Sequence, residues 1–186
     1  MTNFATKLDK KNRLVSMLLD HAIMTFVLAL FTAPVMIYKM LHLQSDMTSM
    51  QEPFFSYNAY EVFAFSLYFN KDIYLGQSFG KRILKFQILD ARTNLPANPI
   101  KCLIRNFTIL LWPVEVIAAI VNPERRIGDY ITGTKLAVYE PGVSSHPHWA
   151  LMVIAIPLGM LFTFAAWFYP VGLLFKFLLR QKGVII

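Results

Sequence analysis

Two ionisable residues of opposite sign, Arg13 and Asp20, stand seven positions apart in Arg-Leu-Val-Ser-Met-Leu-Leu-Asp, at the mouth of the first long apolar run. A helix puts both on one face, because seven residues make nearly two turns. A carboxylate near the centre of a membrane helix costs about 2.5 kcal/mol or more, so Asp20 must face protein or water and have a partner. Arg13 pairs with it poorly: a rise of about 1.5 Å per residue separates the two by roughly 10 Å along the axis. Each therefore looks to another segment of the chain.

Glu61 and Glu115 are further acids within apolar stretches. Together with Asp20 they could line a polar path for a proton or a cation. The plainer alternatives are that Glu61 snorkels from the end of a short span and that Glu115 caps the half-helix after Pro113. For Glu115 capping is slightly favoured; for Glu61 both readings stand. Gly76-Gln-Ser-Phe-Gly-Lys-Arg invites a phosphate-loop reading, but a P-loop needs four residues between its glycines and Ser or Thr after the lysine; here there are three, followed by Arg82. A turn that uses Gly76 and Gly80 for dihedrals other residues avoid fits better. His146 and His148 flank Pro147 without an evident third ligand, so no metal or other cofactor is expected. His21 adjoins Asp20, but neighbouring helical residues point about 100° apart, and packing is its simpler role. Nothing resembles a nucleophilic triad, and enzyme activity is not expected.

The elements that position these residues are membrane elements. The chain has 186 residues, the length of one domain, but 56% of them are hydrophobic and the mean hydropathy is +0.47. The formal net charge of +7 comes from basic residues interleaved with apolar runs, without a nucleic-acid motif, so anionic lipid headgroups are the expected counterpart. Cys102 is the only cysteine, which excludes an internal disulfide and leaves the compartment undecided.

A first span is expected from Leu14 to Leu41, kinked at Pro34, and long enough to cross a hydrocarbon layer of roughly 30 Å. It is too long for a signal-peptide core and reads as a retained anchor. Lys7, Lys10, Lys11 and Arg13 precede it, whereas residues 42–53 contain only acids among their charges, which puts the N-terminus inside. A short aromatic-rich second span follows, from Phe54 to Phe69. Residues 71–105 then carry Lys71, Lys81, Arg82, Lys85, Arg92, Lys101 and Arg105, a cytoplasmic signature. Alternation within Arg82 to Asp90 predicts a short strand, and Thr134 to Tyr139 a second that pairs with it.

The third apolar region, Ile104 to Val121, is broken by Pro113 and either crosses or re-enters. Crossing leaves Arg125, Arg126 and Lys135 outside, against the charge rule, so re-entry is favoured. The last region, Trp149 to Leu179, ends in Lys176, Arg180 and Lys182, which prefer the inside. Re-entry and an internal C-terminus do not both hold with a single final crossing.

Three segments together resemble the RDD family of small polytopic membrane proteins. They are Arg13 with Asp20, the stretch Gly-Gln-Ser-Phe-Gly-Lys-Arg-Ile-Leu-Lys-Phe-Gln-Ile-Leu-Asp at 76–90 with the later Arg105-Asn106, and Asp129 within Arg-Arg-Ile-Gly-Asp-Tyr-Ile-Thr-Gly-Thr at 125–134. The resemblance covers Lys11 to Tyr139. It divides the chain into an RDD-like membrane domain, residues 1–140, and an additional hydrophobic segment, residues 141–186.

The expected fold is an all-α polytopic membrane protein with three to four hydrophobic helices, a re-entrant hairpin and a small cytoplasmic β element, in the bacterial cytoplasmic membrane. With Asp129 supplied by the resemblance, the expected network pairs Arg13 with Asp129, and Asp20 with Arg126 or a backbone cap; Arg125 is a further candidate. Lys81, Arg82 and Lys85 are expected at anionic headgroups. The resemblance leaves two functional readings: a subunit or adaptor of a membrane assembly, or a cation/proton exchanger using Asp20, Glu61, Glu115 and Asp129. Other membrane subunits or self-association are the expected protein partners. No internal repeat of the transporter kind is visible, and three or four spans enclose little interior, which favours the first.

Overall fold

The computed structural model describes residues 8–42, 59–141, 146–169, 173 and 177. The 42–53 loop, the start of the second span and the basic C-terminal end fall wholly or largely outside these residues. Helix α1 runs Lys10–His42. Asp9 starts it, its carboxylate accepting the Asn12 backbone N–H at 2.7 Å. Pro34 lies within the helix. Along α1 the buried positions Arg13, Ser16, Asp20 and Met24 fall at helical spacing and form one stripe, polar at its N-terminal end. Val15, Leu18, Phe26, Leu30 and Ile37 are exposed on the rest of the helix, the inside-out pattern that a lipid solvent permits.

Helix α2, Ala59–Phe69, leads into the one-turn helix α3, Phe79–Ile83. Strand β1, Phe86–Asp90, pairs antiparallel with β2, Thr134–Val138, in a register from Phe86 opposite Val138 to Asp90 opposite Thr134. A two-stranded sheet is marginal by itself. Here the far edge of β1 is closed by Gly76 O, which accepts from Ile88 N at 2.9 Å, and by Leu95 O, which accepts from Asp90 N at 2.8 Å; on β2, Leu136 N donates to Glu124 O at 2.9 Å. Phe86, Ile88 and Leu136 then bury against Leu84, Ala97 and Cys102.

Between the strands the chain forms α4, Pro99–Phe107, a 3-10 turn, Thr108–Leu111, α5, Trp112–Val121, and α6, Ile127–Thr132. Asn98 caps α4 by accepting from Lys101 N at 2.9 Å, and Pro99 fills its first turn. The apolar region therefore begins five residues before the expected Ile104. Its break falls where expected: Pro113 sits in the first turn of α5, where a missing N–H costs nothing, directly after the 3-10 turn that ends the first half. The two halves, Pro99–Leu111 and Pro113–Val121, meet at 111°.

Helix α7, Trp149–Thr163, continues into a π-helical turn, Phe164–Phe168. Its buried stripe is Ala155, Gly159 and Thr163, and small residues every four positions let it approach α2 and α4 closely. Phe162 stacks on Phe107 with ring centroids 3.5 Å apart. Among the described residues two helices are long and apolar enough to cross a membrane, Lys10–Tyr38 and Trp149–Ala166; the bent pair is a third candidate if it counts as one span.

Candidate functional site: a buried chain of ion pairs

The polar end of the α1 stripe meets the starts of α3 and α6 and the buried face of α4. Among the described residues, the buried charged side chains are four cations, Arg13, Lys81, Arg105 and Arg126, and four carboxylates, Asp20, Asp72, Glu115 and Asp129. They alternate in one chain of contacts. Asp20 Oδ2 lies 2.6 Å from Lys81 Nζ, and the same ammonium donates to Asp72 Oδ1 at 2.8 Å. Asp72 Oδ2 accepts from Arg105 at 3.3 Å and from Asn106 Nδ2 at 3.0 Å. Arg105 Nε closes on Asp129 Oδ1. Arg13 reaches Asp129 Oδ2 at 3.4 Å. Arg126 Nε lies 3.9 Å from Asp129 and 3.2 Å from Glu115 Oε2, but neither that Nε nor that Oε2 is aligned for a hydrogen bond, so proximity of charge holds this pair.

Backbone geometry places these groups. Ser78 caps α3, and its hydroxyl donates to Asp20 Oδ1 at 2.5 Å. Gly80 N donates to the same oxygen at 3.1 Å, and a Cβ on Gly80 would stand 2.5 Å from it. Glycine here gives room for a carboxylate, which corrects the expectation of special dihedrals; Gly76, at φ +66°, does need them. At α6 the Arg126 backbone N–H donates to Asp129 Oδ2 at 3.1 Å and Thr134 Oγ1 to Oδ1 at 2.8 Å. Gly128 N donates to Glu115 Oε1 at 3.1 Å, so Glu115 caps α6 and not its own helix.

Burial alone would raise the pKa of Asp72, but Lys81 and Arg105 outweigh it and hold the carboxyl well below the usual range. Asp129 behaves likewise, with burial opposed by Arg105, Arg13 and Arg126. These two carboxylates are thus fixed as anions by neighbouring cations. The arrangement suits a rigid electrostatic clamp across six segments.

Of the residues expected from sequence, the structure brings together Arg13, Asp20, Glu115, Arg126 and Asp129, with Arg13 on Asp129. Asp20 meets Lys81 and the Gly80 amide and not Arg126, because the Arg126 guanidinium is taken up by Asn106 at 2.8 Å, Glu115 and Asp129. Lys81 is correspondingly buried between two carboxylates, so it does not face lipid headgroups. Arg82 and Lys85 are exposed, Arg82 over the Tyr74 ring at 4.8 Å. Arg125 lies over Tyr130. Glu61, half-buried in the first turn of α2, stands about 12 Å along the helix from Phe69. His146 and His148 are exposed, and no group of three or more His, Cys, Asp or Glu among the described residues could hold a metal.

The candidate-site reading overlooked Asp72, which joins the two halves of the network, and gave Asn106 and Ser78 no polar role. A carboxylate just after an apolar run and beside Lys71 was the available signal.

A family model described as RDD family matches residues 11–182, extending past Tyr139 through α7. No curated protein matches the chain, and no solved structure does.

Proposed function

The chain belongs to the RDD family of small membrane proteins, and on that premise we propose that it is a non-enzymatic subunit or adaptor whose charged residues hold a scaffold together. The observation that carries this reading is the state of Asp20. Both of its oxygens are committed, to Ser78, Gly80 and Lys81, so a transported cation would have to displace a buried ammonium at 2.6 Å. A scaffold needs no such exchange.

In this reading α1 and α7 cross the membrane, the expected second span that ends in α2 returns the chain to the inside, and the bent pair α4–α5 dips in and returns. The exposed apolar face of α5, with Val114, Ile117 and Val121, supports that insertion. The N-terminus and the β1–β2 pair lie on the cytoplasmic side of the bacterial cytoplasmic membrane, with Arg82 and Lys85 at anionic headgroups. Partner subunits or a second copy pack on the apolar helix faces.

Purification in mild detergent should recover other membrane proteins or a second copy at fixed stoichiometry. Proteoliposomes with a pH gradient should carry no cation flux attributable to the protein. Flux that Asp20→Asn abolishes, with folded protein retained, would replace this reading with cation/proton exchange.

A further inference from the structure

A small cavity opens against the ion-pair chain where α1 meets the end of α2. Its wall carries Arg13, Lys71, Lys81, Arg105 and Arg126, against one carboxylate, Asp20. Asp20 is paired with Lys81, and its other oxygen accepts from Ser78 and Gly80. The buried chain itself is neutral, four cations against four carboxylates, and Lys71 adds one positive charge at the edge. Arg13 Nε is buried without a hydrogen-bond partner, whereas Arg126 Nε stands 3.2 Å from Glu115 Oε2. Buried donors of this kind are satisfied by something in nearly all folded proteins.

We propose that this cavity is a binding site for one small monovalent anion of the halide class. Charge and size select the occupant. One negative charge balances the excess that Lys71 brings. The space within the cavity is small, on the order of one water-sized particle, which suits a monatomic ion better than a polyatomic one. A halide also accepts from several N–H donors without fixed lone-pair directions, as required by guanidiniums that approach from α1, α4 and the start of α6. The Lys71 ammonium, 4.8 Å from the centroid of the Tyr68 ring, stands at the cavity as the cation outside the ion-pair chain.

The test uses purified full-length protein in detergent, exchanged into sodium gluconate and titrated with chloride at constant ionic strength. The readouts are 35Cl NMR line width and the thermal unfolding midpoint. Saturable broadening that bromide displaces, with a rising midpoint, is expected. Lys71→Met should fold in gluconate and weaken chloride binding at least tenfold, and Arg92→Gln, an exposed cation elsewhere, should leave binding unchanged. Arg13→Gln should abolish binding; if it does not fold, Lys71→Met alone decides. Absence of saturable broadening in folded protein overturns the proposal and leaves a water in the cavity. Equal binding by wild type and Lys71→Met overturns it too. Stabilisation by phosphatidylglycerol nanodiscs without any chloride effect would assign the site to a lipid phosphate oxygen instead, and also overturns it.

Discussion

Lys81 and Asp20, 61 residues apart in sequence, meet at 2.6 Å with both side chains buried, and the same ammonium holds Asp72 at 2.8 Å. One lysine thus ties α1 to the turn after α2. Removing it leaves two buried carboxylates without their shared cation. Lys81→Met is expected to cost about 3–5 kcal/mol, the usual penalty for breaking a buried pair from one side. The check is the thermal midpoint in detergent, where Lys81→Met should fall far below Arg82→Met. Equal midpoints would remove the bridge from any account of stability.

Asp129 should tolerate change less well than Arg13. Its carboxylate serves Arg105, Arg13, Thr134 and the Arg126 amide, whereas Arg13 makes a single contact with it at 3.4 Å. Asp129→Ala is expected to lose about 3–5 kcal/mol and Arg13→Gln about 1.5–3 kcal/mol. For the same reason the reversed pair, Arg13→Asp with Asp129→Arg, should express no better than Asp129→Arg alone: the new arginine would face Arg105 and Arg126. Recovery of yield in the double variant would show that Arg13 and Asp129 form an isolated pair.

Three glycines should rank by what surrounds them. A Cβ on Gly80 would meet Asp20 Oδ1 at 2.5 Å, and one on Gly128 would meet Thr108 Oγ1 at 2.6 Å as well as Arg105 O. Alanine at either should cost about 3 kcal/mol, the upper end of overpacking. Gly133 has open space but a φ of +64°, so alanine there should cost about 1–2 kcal/mol. The order of the three melting midpoints checks this, and Gly133→Ala as the worst variant would contradict it.

Acid should unfold the protein through its carboxylates outside the spans. Asp72 is held low by Lys81 and Arg105 against its burial, and Asp90 by hydrogen bonds from Lys101 and the Arg92 amide. Groups with depressed folded pKa stabilise fully above their unfolded value near 3.8 and lose that stabilisation as pH falls through the folded value. Lys71 acts in the opposite range: burial lowers it from 10.5 to about 8. The unfolded chain then binds more protons between those values, so stability should rise with pH from about 8 to 10.5. Midpoints measured from pH 3 to 10.5 check both arms, and Lys71→Met should flatten the alkaline one.

The need for a partner at Asp20 is legible in sequence, because a charge in an apolar run has few affordable fates. Which partner is not legible. Lys81 sits in the densest basic stretch and reads as solvated, and only the turn at Gly76 and the cap at Ser78 bring it down onto α1. Asp72 is hidden in the same way by Lys71. The two strands are visible as alternation, but the covering of their edges by Gly76, Leu95 and Glu124 depends on chain segments meeting in space. Pro113 marks the break in sequence because proline interrupts a helix interior and starts a helix readily, and it stands in the first turn of α5; the 111° between the two halves depends on packing and is not legible.

The contact between Arg13 and Asp129 spans 116 residues. At about 5–20 residues per second of synthesis, Arg13 waits roughly 6–23 s for its carboxylate after it is made. Asp20 is matched sooner, when Lys81 emerges. During that interval the first helix carries an unmatched cation at the membrane, so whatever inserts this chain must shelter it until the last piece of the network arrives. The fold is therefore completed late, and α1 has the longest exposure to wrong partners.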